Sequence, residues 1–475
     1  MRKHLFIGGE WKEAKSYSDL LSPYTGERIA AIGQADEQDV DDAITAAREA
    51  AAVMRRLPAH ERAAILERAA AIMERRKEEL ALLLASEAAK PVKTGRTEIA
   101  RTIQTYKFAA EEAKRIHGET VPLDAAPGGE GRLAFTQRKP IGVVGAITPF
   151  NFPFNLVAHK VGPALAAGNT VVLKPAGQTP LSALALGEIF SEAGLPAGAL
   201  NVIPGKGAIV GEKLVRDDRI AAITFTGSPE VGIAMKSKAG LKRVTLELGS
   251  NSALMIDESA EITDELIGRC VTGAFSFSGQ VCISIQRIYV QETRYEEFTS
   301  KFVAATEQLR TGNPLDEDTD ISALISPKEA DRISEWVEAA VIEGAVVMCG
   351  GRKLEDGVYL PTVLTNVAPS SSVSCQEVFG PVVTVQPFNE IAEAIDAVNH
   401  SRFGLQAGIY TNNLQTALRA AEEIEVGGVM INDIPTFRVD QMPYGGVKDS
   451  GIGREGVKYA VEEMTELKLI SVKML

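Results

Sequence analysis

From Ile141 to Gly249 the chain switches repeatedly between two periodicities. Short β-rich runs ("IGVVGAIT", "NTVVLKP", "ALNVIPG", "IAAITFTG", "RVTLELG") alternate with helical stretches of about a dozen residues, such as "LVAHKVGPALAAG" and "PLSALALGEIFSEAG". Apolar strands separated by helices form a mostly parallel sheet joined by right-handed crossovers. Such a sheet takes its ligands at the carboxyl ends of its strands. A second α/β run starts near Glu247, with helices expected at "FVAATEQLRTG", "ISEWVEAAVIEG", "EIAEAIDAVNHS" and "LQTALRAAEEIEVG". Before the alternation, "DEQDVDDAITAAREAAAVMRRL" and "AHERAAILERAAAIMERRKEELALLLASEAA" have helical apolar spacing. The segment "GETVPLDAAPGGEGRLAFTQRKP" reads as a protruding hairpin around a Pro/Gly-rich tip. The tail "TELKLISVKML" is strand-like and has no hairpin partner beside it, so it must pair elsewhere, another subunit being one place for it.

The bulk numbers limit what such a fold can serve. A chain of 475 residues makes two or three domains at about 150 residues each. A net charge of −13 argues against a nucleic-acid backbone or an anionic membrane surface as partner. A small anionic substrate stays open, since one basic pocket is invisible in a sum. Cys270, Cys282, Cys349 and Cys375 have neither disulfide-dense nor metal-ligand spacing. No metal is expected, and a reducing, cytoplasmic location is. The start "MRKHLFIGGEW" is no secretory signal, and no apolar run is long enough to span a membrane.

Several segments place reactive residue types where such sheets bind ligands. In "ITFTGSPEVG" Gly227 makes a turn, and Ser228 is placed to cap a helix whose free N–H groups suit a phosphate. Gly205, Gly207 and Gly211 form a rival, G-x-G-x-x-x-G, one residue too long for a dinucleotide fingerprint, and are expected in a tight loop. Lys174 ends a strand, where a ribose or phosphate would lie. Asn151, in the apolar loop "ITPFNFPFN", either makes an Asx-turn or aims its amide at an oxyanion. Glu247 ends an apolar strand, as a salt-bridge partner or as a base of raised pKa. Glu377 and Phe379 sit on a loop before a strand. His159 reads as a core or capping histidine. Cys282, in "FSFSGQVCISIQR", is on composition alone an inert thiol.

Taken together, "TPFNFP", "LKPA", "FTGS", "LELG", "GQVC", "EVFGP" and "MPYGGVKDSGIGREG" stand in one order along the chain. In that order the chain resembles the NAD(P)-dependent aldehyde dehydrogenases over essentially its whole length. The resemblance implies the aldehyde dehydrogenase fold: a Rossmann-like dinucleotide-binding domain (1–117, 141–246 and 442–464), an α/β catalytic domain (247–441), and a small β oligomerisation element (118–140 and 465–475) making a homodimer or homotetramer. It implies that Cys282 attacks the aldehyde, that its backbone N–H and Asn151 hold the oxyanion, and that Glu247 activates water against the thioester. NAD or NADP would be bound by Thr148, Pro149, Lys174, the Gly177 position, Gly227, Ser228, Glu377 and Phe379. Arg101, Phe154, Arg438 and Tyr444 would contact the substrate. Ser284 and Arg287, assigned to the strand after Cys282, would be structural.

Two departures bear on specificity. Many family members carry an acid three residues after the ribose lysine; here it is Gly177, so both NAD and NADP are expected. "LELGG" is here "LELGS", with no role evident for Ser250. The chain looks closest to the branch of lactaldehyde, phosphonoacetaldehyde and non-phosphorylating glyceraldehyde-3-phosphate dehydrogenases. Arginines at 101 and 438 suit a short aldehyde carrying a carboxylate, phosphate, phosphonate or sulfonate. The alternatives are an uncharged short aldehyde, with Arg438 in a structural salt bridge, or a CoA-acylating enzyme. The latter lacks the glutamate base present here as Glu247.

Overall fold

The computed structural model describes residues 2–355 and 357–474. The alternation becomes five strands, Val143–Ile147, Thr170–Lys174, Leu200–Val202, Ile220–Thr226 and Arg243–Glu247. All pair in parallel. Val143–Ile147 lies between Thr170–Lys174 and Ile220–Thr226. The chain therefore builds outward on one side of Val143–Ile147 and then returns to the other. That reversal opens a crevice beyond the ends of Val143–Ile147 and Ile220–Thr226, where side-by-side crossovers part. The helix Asn155–Ala167 is buried along its whole length and ends at Gly168, whose φ of 88° only glycine adopts at little cost. The glycine-rich rival motif forms a single wide turn, Gly207–Gly211, leading into Glu212–Arg216.

The second sheet has seven strands, in the order Val346–Cys349, Thr362–Thr365, Val382–Phe388, Arg287–Gln291, Ala253–Ile256, Gln406–Tyr410 and Gly428–Ile431. Only its first pair is antiparallel. Arg287 opens its strand, while Ser284 falls in the loop before it, its hydroxyl donating to the carbonyls of Gly273 and Ala274. Ser284 is therefore not on that strand.

The long helical stretch after Pro58 divides into Ala59–Arg75 and Lys77–Ala88, because Arg76 leaves the helical region. Ala59–Arg75 and Val92–Ala113 pack on Asn155–Ala167, Lys77–Ala88 packs on Val92–Ala113, and all share one core. The expected hairpin forms only in part. Its second arm is the strand Arg132–Pro140, to which the first arm adds a bridge at Thr120 and Phe135. The partner along the whole of Arg132–Pro140 is the C-terminal strand Thr465–Lys473 of the same chain. The tail thus pairs in cis. The two-stranded ribbon leaves Leu133, Leu467, Leu469 and Val472 exposed. Among the described residues no helix is long and apolar enough to cross a membrane.

Candidate active site

A cavity of 390 Å³ occupies the crevice. The first sheet supplies Pro149, Asn151, Gly227 and Ser228; the second supplies Cys282, Glu377 and Phe379. Three larger hollows, 620 Å³ beside Arg269, 640 Å³ beside Trp11 and 420 Å³ beside Lys238, hold none of the unpaired buried polar atoms among the described residues. The chemistry gathers in the smaller one.

The turn before Cys282 is tightly constrained. Phe277 and Ser278 are left-handed, at φ 48° and 54°, followed by Gly279 at 71°. A Cβ on Gly279 would lie 2.2 Å from the Gly380 carbonyl oxygen, so only glycine fits there. Ser278 donates its hydroxyl to the Ser322 carbonyl, and Gln280 accepts the Ile325 N–H through Oε1. These bonds explain the residue types preceding the cysteine. Asn151 Nδ2 donates to the Gln280 carbonyl at 3.0 Å, which ties the Asn151 loop to the cysteine loop. Its second N–H is left for a ligand. Cys282 Sγ lies 3.0 Å from the Tyr444 hydroxyl. Burial pushes the thiol up to about 11, while the Tyr444 hydrogen bond and the Arg438 charge pull the other way.

Glu247 is buried, with both carboxylate oxygens unpaired. Burial and the nearby charge of Glu455 raise it well above its ordinary value. Glu455 is buried too, but Lys160 at 2.8 Å and Arg438 at 3.0 Å hold it ionised, at about 2. Within this neighbouring pair one carboxylate is pushed up and the other held down.

The cofactor side fits a dinucleotide. Ser228 stands at the start of the helix Pro229–Lys238, yet its side chain makes no capping bond, contrary to the expected cap. The helix N-terminus is left open to the cavity. A Cβ on Gly232 would meet Leu248 at 2.5 Å, so this helix packs close on the sheet. The Thr148 and Thr226 hydroxyls are buried and unpaired at the two strand ends flanking the crevice. Lys174 rests against the Pro175 carbonyl at 3.0 Å, and burial lowers it to about 8. A Cβ at Gly177 would meet nothing within 4 Å. Glu377 accepts the Ser250 N–H at 2.9 Å, and burial raises it to about 7. A Cβ on Gly249 would come within 2.5 Å of Glu377 Oε2. The Gly-Ser pair is thus a seat for Glu377, and the Ser250 hydroxyl meets Ser252. Phe379, at φ 50°, packs edge-on to Phe150.

On the substrate side the expected residues divide. Phe154 is 0% exposed and belongs to the core beneath the first sheet. Its place in that core withdraws it as a substrate contact. Arg438 lies over the Tyr444 ring at 3.6 Å. Arg101 pairs with Asp440 at 3.0 Å. The same Asp440 oxygen takes a contact from His159 Nε2 at 3.0 Å. Among the described residues the buried Nε atoms of both arginines have no partner.

Sequence reasoning missed the supports. Lys90 and Glu98 form a fully buried ion pair. Lys90 also donates to the Asn151 carbonyl at 2.6 Å and sits over the rings of Phe152 and Phe277. Glu98 accepts the N–H groups of Phe154 and Asn155 at the start of the next helix. Neither residue belongs to a motif, and only their partners reveal their role.

The sequence profile described as the aldehyde dehydrogenase family matches residues 11–470. The chain belongs to the aldehyde dehydrogenase family. It is 49% identical over 470 residues to a 3-sulfolactaldehyde dehydrogenase of Priestia megaterium, covering 99% of this chain and 98% of that one. The structure of aldehyde dehydrogenase 21 from Physcomitrella patens, in complex with the reaction product succinate, superposes with a TM-score of 0.97 at 42% identity, over 100% of this chain and 98% of that one. A glyceraldehyde-3-phosphate dehydrogenase of Methanocaldococcus jannaschii complexed with NADP gives 0.93 at 40% identity, over 97% and 100%. This aldehyde dehydrogenase is an NAD(P)-dependent oxidoreductase.

Proposed function

We propose that this aldehyde dehydrogenase oxidises a short aldehyde bearing an anionic group to the free carboxylic acid. The observation that carries this is the pair of buried, unpaired Nε–H groups on Arg101 and Arg438. A buried guanidinium donor without an acceptor is costly, and a carboxylate, sulfonate or phosphate supplies one. The relatives named for sulfolactaldehyde and solved with succinate agree with that chemistry. In the competing reading Glu455 and Asp440 neutralise both arginines and the aldehyde is uncharged, as lactaldehyde is. That reading leaves the two donors unexplained.

Cys282 attacks the carbonyl as thiolate, and its own N–H with the free N–H of Asn151 receives the oxyanion. When bound, NAD(P)⁺ supplies the hydride acceptor; Lys174, Ser228 and Glu377 are the residues that hold it, with Thr148, Pro149, Gly227 and Phe379 around it. Glu247 then takes a proton from the water that cleaves the thioester. Its presence favours hydrolysis over transfer to CoA. With Gly177 open, nothing there repels a 2′-phosphate, and both NAD and NADP are accepted. We assign the dinucleotide-binding, catalytic and oligomerisation parts to the first sheet, the second sheet and the ribbon, the exposed apolar ribbon building a homodimer or homotetramer. The free cysteines agree with a cytoplasmic location.

The test compares kcat/KM for sulfolactaldehyde, succinate semialdehyde, glyceraldehyde 3-phosphate and lactaldehyde in wild type, Arg101→Gln and Arg438→Gln. KM should rise at least about tenfold for the anionic aldehydes and little for lactaldehyde. An equal rise in KM on all four substrates would sink the proposal. Cys282→Ser should abolish turnover while cofactor still binds.

A further inference from the structure

We propose that Tyr444 is a catalytic residue that donates its phenolic hydrogen to the Cys282 thiolate, with Arg438 stacked on its ring to strengthen that donor. Sequence reasoning placed Tyr444 on the substrate. The structure places its hydroxyl 3.0 Å from the sulfur and leaves it 2% exposed. The problem this solves is physical. A half-buried, desolvated thiol resists ionisation, yet only the thiolate attacks an aldehyde well. Among the described residues no histidine or lysine is hydrogen-bonded to Cys282. The charged or titratable groups that act on it are Tyr444 and Arg438 from one loop, Glu377 from another and Glu247 from a strand end. Of these, the two carboxylates oppose a thiolate when ionised, so stabilisation falls to Tyr444 and Arg438.

The contact is asymmetric in the required sense. As a thiol, Cys282 can share a neutral hydrogen bond with the phenol in either direction. As a thiolate it can only accept, and a bond to a charged acceptor is roughly twice as strong as a neutral one. The difference favours ionisation. The guanidinium carbon of Arg438, 3.6 Å from the Tyr444 ring centroid, draws electron density from the ring and makes the O–H a better donor. Tyr444 does not take the thiol proton. Its own ionisation is disfavoured by burial and by the sulfur's charge. The proton leaves Sγ for Glu247, a nearby carboxylate with unpaired oxygens, which releases it to solvent before taking one from the hydrolytic water, and the phenol stays protonated throughout.

The proposal rests on Cys282 being the nucleophile, and the experiment separates the two. Full-length wild type and Tyr444→Phe are alkylated with iodoacetamide between about pH 6 and pH 11, the Cys282 peptide being followed by mass spectrometry. The rising limb of the rate profile should be displaced by about one pH unit in Tyr444→Phe, with about tenfold slower alkylation at a fixed pH. Single-turnover acylation should fall by a similar factor, with the KM for aldehyde little changed. Superimposed alkylation profiles overturn the proposal, and so does a raised KM with an unmoved profile, which returns Tyr444 to substrate contact. Turnover surviving in Cys282→Ser would instead reject the nucleophile assignment, and with it the catalytic role of Tyr444, whatever the profiles show.

Discussion

Replacing Lys90 by methionine tests how the oxyanion donor is held. The ammonium group is fully buried and joins three things: the Glu98 carboxylate, the Asn151 carbonyl and the faces of Phe152 and Phe277. Phe152 belongs to the Asn151 loop and Phe277 to the turn before Cys282, so Lys90 staples the oxyanion donor to the nucleophile. Methionine keeps the length and the apolar stem but not the charge. Breaking a buried pair from one side costs about 3–5 kcal/mol, because the other charge is stranded. Glu98 keeps its bonds to the Phe154 and Asn155 N–H groups, which places the loss toward the lower end of that range. A missing oxyanion donor costs about 10²–10³ in rate. Asn151 remains tied to the Gln280 carbonyl, so its misplacement should cost only about tenfold, below that scale. Urea denaturation reads the first quantity and single-turnover acylation the second. Lys90→Met/Glu98→Gln removes both charges and should regain stability without regaining acylation. In an Asn151→Ala background Lys90→Met should cost little further rate, since both act through one donor. A Lys90→Met enzyme as stable as wild type, or rate losses that simply multiply in the double variant, would refute the staple.

Gly177→Glu meets open space, so the protein should fold normally. Its carboxylate should raise the KM for NADP at least about tenfold by like-charge repulsion, with the KM for NAD little changed. Gly249→Ala puts a methyl 2.5 Å from Glu377 Oε2 and should unseat that carboxylate, weakening cofactor binding in a titration by about tenfold, or about 1.4 kcal/mol. Glu87 is fully buried and accepts the N–H groups of Leu181 and Ser182, capping the helix Pro180–Glu192; burial raises it to about 7 from 4.5. A carboxyl bound more tightly to its proton in the folded state stabilises most below its unfolded pKa, and that contribution is lost as pH rises toward 7. The thermal midpoint of wild type relative to Glu87→Gln should therefore fall between about pH 4.5 and pH 7. A constant difference would show that Glu87 does not titrate there.

The chain alone determined the alternation that makes the first sheet and the order of motifs that marks the family, because both are local. Periodicity is written in neighbouring side chains, and each motif needs a particular residue type at a strand end or turn. Gly279, Gln280 and Cys282 are such a case, legible before any coordinate. What the tertiary structure alone decided are contacts between segments far apart in the chain. The C-terminal strand looked orphaned because its partner, Arg132–Pro140, lies more than 300 residues away. Tyr444 meets Cys282 across 162 residues. Phe154, beside the Asn151 loop, turned into the core, since one residue's rotation about a helix start decides which side it faces. Lys90 and Glu98 stand in no motif, and burial made them a pair. A charge carries no mark in the sequence of whether its partner will be water or another side chain. That choice is made when the helices and the sheet close over it.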